Sequence, residues 1–350
     1  MHVIKCRRCG IVNDPTRRVC SQCGLLLLGS SVDDSVCSLS ESLVKISPEE
    51  YSVPIDNAVI RELNSLPVLP NLVSSVIQYW NTPITRAQLL GNGIKLSATQ
   101  GTSIFKIAEE CGRLLGVPIP EIFVKQDPTY NAYTLGSNEE HVIVLHSALV
   151  DDYSEKELQF VIGHEMGHIK SKHVVYLTLA EFLNKGIGLI FKMVAAPVRL
   201  AINKWVRESE LTADRAGLLC VGELEPAVYG LVRLAVGSEK VLQEFNLAEY
   251  LNQSKAIDNF YAKINILLQD HPYVVNRVVS LGEFVTSNQG KRTLERLQLY
   301  RKKDSLLQDS QNLPLRERLA LEEVESIFCK SCGFKVEQGM HECIMCGQKL

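Results

Sequence analysis

Residues 164–168 read His-Glu-Met-Gly-His, and this stretch decides the fold of the region around it. Two histidines four residues apart lie one turn apart on one face of an α-helix, so their imidazoles can hold a single zinc ion. Glu165 lies on the metal-facing side, where it can take a proton from an attacking water. Chance produces this pattern on the order of once in a hundred chains of similar histidine content. An apolar run precedes it, as expected for a helix set into a core: Leu158, Phe160, Val161 and Ile162.

A catalytic zinc site needs a third protein ligand and an open fourth position. The third ligand is predicted to be Glu210, which shares a helix face with Asp214 because the two are four residues apart. Asp214 is then placed to orient a ligand histidine from behind. Glu208 points elsewhere on the same helix and is the competing candidate.

The segments around the motif predict an α+β fold in which helices dominate and the β-sheet is small. Ser154 and Glu157 form a capping box at the start of the motif's helix. Apolar periodicity predicts helices over 103–115 and 154–170, and β-favouring runs predict strands over 121–125, 141–145 and 130–135.

Eight of the eleven cysteines form four Cys-x-x-Cys pairs, each followed directly by glycine. The spacing between pairs is the same at both ends of the chain and is typical of zinc ribbons, each holding one structural zinc. Disulfide pairing is the alternative, but the N-terminus has no secretory signal, which favours a reducing, cytoplasmic location. The predicted ligands are Cys6, Cys9, Cys20 and Cys23 in the first ribbon, and Cys329, Cys332, Cys343 and Cys346 in the second.

Composition divides the chain and limits its functions. Hydrophobic residues make up 46%, charged residues 22%, and the net charge is −3, which argues against long disorder and against a protein built mainly to bind nucleic acid. The predicted organisation is a zinc ribbon at 1–28, a linker at 29–50, a main domain at 51–285, a polar helical linker at 286–326 and a second ribbon at 327–350.

Taken together, the motifs resemble the gluzincin metallopeptidases of the HtpX and CAAX prenyl endopeptidase family. The resemblance covers about residues 90–285. It is carried by 164–168, by Glu210-Leu211-Thr212-Ala213-Asp214, by His271-Pro272 with Arg277, by Asn131-Ala132-Tyr133 and by His173. It implies a zincin-like domain in which His164, His168 and Glu210 bind zinc and Glu165 is the general base.

The same resemblance implies roles for residues that spacing alone does not assign. His271 and Arg277 would stabilise the oxyanion or hold Glu210, although His271-Pro272 also fits an ordinary turn at a helix start. Asn131, Ala132 and Tyr133 would belong to an edge strand that binds substrate. An edge strand binds a peptide through main-chain hydrogen bonds, so extended or unfolded polypeptide is the expected substrate.

One departure from this family concerns the membrane, because no uncharged apolar run of about twenty residues occurs. The most apolar stretch, 174–206, is interrupted by Lys185, Lys192 and Arg199 at intervals of seven residues, which places them on one helical stripe. A helix packed over the active-site cleft is the favoured reading, and a helix lying on anionic lipid is the alternative. Pro197 is expected to kink either helix.

Two functions therefore compete. The first is a zinc endopeptidase with one catalytic and two structural zinc ions, whose ribbons bind a partner or the substrate. The second is a non-catalytic ribbon module, for protein or nucleic acid, on a metallopeptidase scaffold. The intact base and ligands favour the enzyme. Aromatic residues are sparse in the ribbons, with Phe328 and Phe334 in the second and none in the first, which disfavours nucleic-acid binding by stacking.

Overall fold

The computed structural model describes residues 4–5, 12–13, 46–54, 56, 83–136, 140–184, 196–257, 272–310 and 349. The chain divides into two compact units. The larger consists of Lys45–Ser97 and Ser103–Leu297. The smaller consists of Met1–Val44, Ala98–Thr102 and Gln298–Leu350, and its described part includes two short antiparallel strands, β1 (Ile4–Lys5) and β2 (Val12–Asn13).

Helices dominate the described residues, as predicted. In chain order they are α1 (Pro83–Asn92), α2 (Thr102–Leu115), α3 (Ser147–Asp152), α4 (Glu155–Lys170), α5 (Val174–Asn184), α6 (Ala196–Val221), α7 (Leu224–Val236), α8 (Glu239–Gln243), α9 (Leu247–Ala256), α10 (Val274–Thr286) and α11 (Asn288–Ser310). The polar helix expected after residue 286 corresponds to α11 as far as the described residues extend.

A mixed four-stranded sheet of order β3-β4-β6-β5 accompanies these helices. Its strands are β3 (Gly93–Lys95), β4 (Glu121–Lys125), β5 (Ala132–Gly136) and β6 (His141–His146). β4 and β6 run parallel, whereas β3 and β5 pair antiparallel with β4 and β6 respectively. Three strands match the sequence prediction to within two residues. β3 was not predicted, because only Ile94 among its three residues favours a strand and its pairing with β4 supplies the rest.

The helix that carries the histidine motif, α4, lies in the middle of the larger unit. It begins as expected: the Ser154 hydroxyl accepts a hydrogen bond from the Glu157 N–H, and the Glu157 carboxylate accepts one from the Ser154 N–H at 2.7 Å. From Phe160 to Ile169 every residue is buried. A helix buried on all sides needs neighbours all round, and here they include α6, α7 and β5.

Helix α6 packs against α4 almost backbone to backbone. A Cβ added at Gly163 would lie 2.6 Å from the Cys220 Cβ, and one added at Gly167 would lie 2.6 Å from the Ala216 Cβ. Side chains larger than hydrogen at these two positions would push the helices apart. Because the helices approach so closely, residues on the facing side of α6 reach the histidines of α4.

The structure describes the apolar stretch 174–206 only at its two ends. Helix α5 ends at Asn184 and α6 begins at Ala196, and Lys185 and Lys192 lie outside the described residues. Pro197 lies near the start of the described part of α6, so the expected kink stays a prediction. Val174, Val175 and most described residues at both ends are buried, and no helix in the described part of the chain is long and apolar enough to cross a membrane.

Candidate functional site

Three of the predicted ligands lie together in the core. One side-chain atom from each of His164, His168 and Glu210 falls within 4.8 Å of the others, and all three residues are buried. His164 and His168 come from successive turns of α4, with their Nε2 atoms 3.1 Å apart. Glu210, from α6, places its carboxylate oxygens 3.6 Å from His164 Nε2 and 3.3 Å from His168 Nε2. Glu208, the competing candidate on α6, is not part of this cluster.

The hydrogen bonds behind the histidines orient their electron pairs toward the cluster. His164 Nδ1 lies 2.9 Å from Asp214 Oδ1, and a carboxylate can only accept, so the imidazole proton is on Nδ1. The Nε2 atom of His164 then presents a lone pair toward Glu210. Two imidazole nitrogens and a carboxylate facing one another across a buried space form the donor set that zinc prefers, and these residues fit that metal.

Burial and charge set the protonation of this cluster. Burial lowers the pKa of His168 to about 4, so this imidazole is neutral at neutral pH and available as a ligand. Burial would also lower the pKa of His164, but the charges of Glu210 and Asp214 outweigh it and raise that pKa. A cation bound between the ligands would take the place of the proton that these carboxylates favour.

Arg277, from α10, lies behind the cluster and contacts the carboxylates of both Asp214 and Glu210. Its Nε and Nη2 donate to Asp214 at 2.8 and 2.6 Å, and its Nη1 lies 3.4 Å from Glu210 Oε2. Burial acts to raise the pKa of Asp214, but the arginine outweighs it and holds that pKa below its ordinary value. The position of Arg277 matches the alternative in which it holds Glu210, whereas His271 lies outside the described residues.

The predicted base, Glu165, contacts the sheet. The Thr134 hydroxyl of β5 donates a hydrogen bond to Glu165 Oε2 at 2.6 Å. Burial raises the pKa of Glu165, while His164 and the Thr134 hydroxyl act in the opposite direction. A carboxylate with a raised pKa at the rim of a metal site is a suitable proton acceptor near neutral pH.

The strand predicted to bind substrate lies next to this base. β5 is an edge strand of the sheet and pairs with β6 on one side. Ala132 and Tyr133 are its first two residues, and the Tyr133 ring packs edge-on against His146. Asn131 precedes the strand and accepts a hydrogen bond from the His146 N–H through its carbonyl oxygen. Ala132 and Tyr133 thus lie on the strand whose Thr134 touches the base, and Asn131 directly precedes it.

Two further residues, His173 and Asp56, adjoin the cluster. His173 Nδ1 lies 3.1 Å from His168 Nδ1, and His173 Nε2 lies 3.0 Å from Asp56 Oδ2. Burial acts to raise the pKa of Asp56, but His173, Thr212 and Trp205 outweigh it and lower that pKa. The spacing of His173 from His168 made it visible as part of the family pattern. Nothing in the sequence near Asp56 points to a metal site.

The eight ribbon cysteines, most of the linker at 29–50 and the last part of the linker at 286–326 lie outside the described residues. β1 and β2 flank the Cys6–Cys9 segment in sequence and pair antiparallel, with Ile4 opposite Asn13 and Lys5 opposite Val12. The ribbon ligands stay a prediction.

Comparison with known proteins places the core of the chain in a family. Residues 98–285 match the model of peptidase family M48. The chain is 27% identical over 263 residues to plastoglobule-localized metallopeptidase 48 of Arabidopsis thaliana, covering 72% of this chain and 76% of that protein. It is 30% identical over 155 residues to a protease HtpX homolog of Tropheryma whipplei, and spans 53% of that relative's length and 44% of its own. The crystal structure of S. mikatae Ste24p matches with a TM-score of 0.41 and 17% identity, over 65% of this chain and 61% of that one.

Proposed function

The chain belongs to peptidase family M48 and is a zinc metallopeptidase, and from this premise we propose that it is an endopeptidase that hydrolyses peptide bonds in extended or unfolded protein segments. The observation that carries the proposal is the 2.6 Å hydrogen bond between Thr134 and Glu165. It fixes the base directly beside an edge strand. A peptide added to that strand would run past the base and the three ligands.

In this proposal His164, His168 and Glu210 hold the zinc. Zinc bound there would activate a water molecule and polarise the scissile carbonyl. Glu165 accepts the proton of the attacking water at its carboxylate and then delivers it to the leaving amine. Asp214 keeps the proton of His164 on Nδ1, and Arg277 neutralises the charge of Asp214 and steadies Glu210.

The substrate class follows from the edge strand rather than from a side-chain pocket. Main-chain hydrogen bonding along β5, with Asn131, Ala132 and Tyr133 at its start, recognises an extended backbone and is largely indifferent to sequence. A folded protein seldom offers such a segment, because most of its backbone is already paired within helices and sheets. We therefore expect unfolded polypeptides to be cut and their native forms to be spared.

The test compares the full-length protein with Glu165→Gln on an unfolded, casein-like substrate, with and without a chelator. We expect cleavage by the unsubstituted protein alone, loss of that cleavage in chelator, and equal zinc content in both proteins. Glu208→Gln is the matched control, because it removes a carboxylate of α6 that lies outside the cluster. This variant should cleave the substrate as the unsubstituted protein does. Equal cleavage by Glu165→Gln would refute the assignment of the base.

We further propose that each terminal cysteine group binds one structural zinc and that the ribbons bind a partner or the substrate. The repeated spacing supports this, as does the pairing of β1 with β2 on either side of Cys6 and Cys9 in sequence. The full chain should then hold three zinc ions, and replacing Cys6 and Cys9 by alanine should leave two. Three zinc ions in that variant, measured by elemental analysis, would exclude the first ribbon as a zinc site.

We infer a cytoplasmic location from the sequence. The alternative is a protein that contacts a membrane surface through residues 174–206. The burial of Val174, Val175, Ile202 and Trp205 supports the reading in which this stretch packs on the protein. Flotation of the purified protein with anionic vesicles would support the alternative, and its failure to float would support packing alone.

A further inference from the structure

A buried series of contacts leads from His168 to a carboxylate in a distant part of the sequence. His168 Nδ1 meets His173 Nδ1 at 3.1 Å, and His173 Nε2 meets Asp56 Oδ2 at 3.0 Å. His173 and Asp56 are each only 1% exposed, so water does not compete for these contacts. The family match begins at residue 98, so Asp56 precedes it.

Asp56 is surrounded by donors. Trp205 Nε1 donates to its Oδ1 at 2.7 Å, and the Thr212 hydroxyl donates to its Oδ2 at 2.8 Å. An ionised carboxylate can only accept hydrogen bonds. His173 must therefore carry a proton on Nε2, where it faces Asp56.

The proton on His173 Nε2 fixes the state of the next ring. A neutral His173 protonated on Nε2 has a lone pair on Nδ1, which can accept a hydrogen bond from His168 Nδ1–H. With its proton on Nδ1, His168 presents the Nε2 lone pair to the metal cluster. The carboxylate of Asp56 thus selects, through one intervening ring, the only tautomer of His168 that can bind zinc through Nε2.

The two ligand histidines are therefore oriented in different ways. Asp214 touches His164 directly from α6, whereas His168 receives its orientation from Asp56, which follows the described segment 46–54 in sequence. That segment is anchored independently of Asp56. The Tyr51 hydroxyl forms a 3.0 Å hydrogen bond with Ser171 at the end of α4, and the Tyr51 carbonyl accepts one from Arg215 of α6.

We propose that Asp56 is a positioning residue for the zinc ligand His168 and acts through His173. The proposal rests on the proposed role of His168 as a ligand. It assigns to the segment before the family domain a part in holding the metal, which no local motif indicates. Metal ligands commonly depend on such outer partners, and their loss weakens metal binding by about 10- to 100-fold.

Asp56→Asn tests the proposal. An amide has one oxygen and one NH₂ group, so one of its donor neighbours, Trp205 or His173, would face a donor. If the NH₂ group faces His173, the proton of His173 moves to Nδ1. The proton of His168 then moves to Nε2, the nitrogen that would bind zinc. We expect catalytic-site zinc affinity to fall about 10- to 100-fold. At saturating zinc, kcat should fall while the KM for the peptide stays unchanged, since the Asp56 carboxylate bonds to His173, Trp205 and Thr212, none of which belongs to β5.

Zinc affinity is measured on the full chain by competition with a chelator, and the catalytic zinc is the fraction that His168→Ala loses. Tyr51→Phe is the control, because it weakens the anchoring of the same segment and leaves Asp56 in place. It should bind zinc as tightly as the unsubstituted protein. Asp56→Ala leaves His173 Nε2 without this acceptor in any orientation, so it should lose zinc affinity whichever way the amide of Asp56→Asn turns. Wild-type zinc affinity in Asp56→Ala, with a loss of stability like that of Tyr51→Phe, would overturn the proposal and make Asp56 merely structural.

A double-mutant cycle tests the route through His173. In His173→Gln the amide oxygen can accept from His168 without help from Asp56, so adding Asp56→Asn should not weaken zinc binding further. Additive losses would overturn the relay. If Asp56→Asn does not fold, His173→Phe decides: it keeps the aromatic contact with Trp205 but should lose zinc affinity, and wild-type affinity would refute the proposal. Full zinc content in His168→Ala would instead refute the proposed ligand set itself.

Discussion

Gly217 of α6 lies against the backbone of α4, the helix that carries the histidine motif, and its replacement by alanine tests how strongly the site depends on that packing. An added Cβ would lie 2.5 Å from the Phe160 carbonyl oxygen and 3.1 Å from the His164 backbone nitrogen. Real Cβ atoms essentially never approach other atoms closer than 3.0 Å. Both neighbours belong to the α4 backbone and cannot rotate away, so the helices must separate by about 0.5 Å at that point.

The expected cost follows from two opposing terms. Alanine is a better helix former than glycine, which favours the variant by about 0.5–1 kcal/mol. Forcing an extra methyl into a packed core costs about 1–3 kcal/mol. Gly282 in α10 is the matched control, because a Cβ added there meets nothing within 4 Å. Gly282→Ala should therefore stabilise the protein, and Gly217→Ala should be about 1–3 kcal/mol less stable than that control.

Thermal unfolding of the two variants measures this difference, since about 1 kcal/mol shifts the Tm of a domain this size by about 2–4 °C. Gly217→Ala should also release its catalytic zinc at lower chelator concentration, because the separation moves Glu210 and Asp214 away from His164. Gly282→Ala should keep its zinc. Equal stability and equal zinc affinity in the two variants would refute the close packing of α4 and α6 as the feature that assembles the site.

Two further predictions concern the charges of the site. Arg277→Met leaves the buried carboxylates of Asp214 and Glu210 without the cation that they share. The free energy of unfolding, measured in urea, should therefore fall by about 3–5 kcal/mol, and a fall of less than about 1 kcal/mol would contradict this. Thr134→Val removes a hydrogen bond that lowers the pKa of Glu165, so that pKa should rise. Because the base works only when ionised, the acid limb of the kcat/KM profile should move to higher pH. An acid limb at the same or a lower pH than in the unsubstituted protein would contradict this prediction.

Features that depend on local sequence were predictable. The four-residue spacing of the histidines, the capping box at Ser154 and the i, i+4 spacing of Glu210 and Asp214 each rest on helix geometry, which relates residues close together in sequence. The strands β4, β5 and β6 carry enough β-favouring residues to be found, but their pairing is not local. The parallel neighbourhood of β4 and β6, which leaves β5 at the edge, is visible only in the structure.

The residues that escaped prediction share a physical reason. The contact of Thr134 with Glu165 depends on where a strand meets a helix, and the contact of Asp56 with His173 joins two segments far apart in sequence. Neither residue type is unusual for its surroundings, because threonine is common in strands and an aspartate near Pro54 is typical of a turn. Their chemistry appears only when burial removes water and leaves one partner for each polar atom. A buried carboxylate is costly unless its hydrogen bonds are made, and Asp56 keeps its place because Trp205, Thr212 and His173 supply three donors that no local sequence pattern announces.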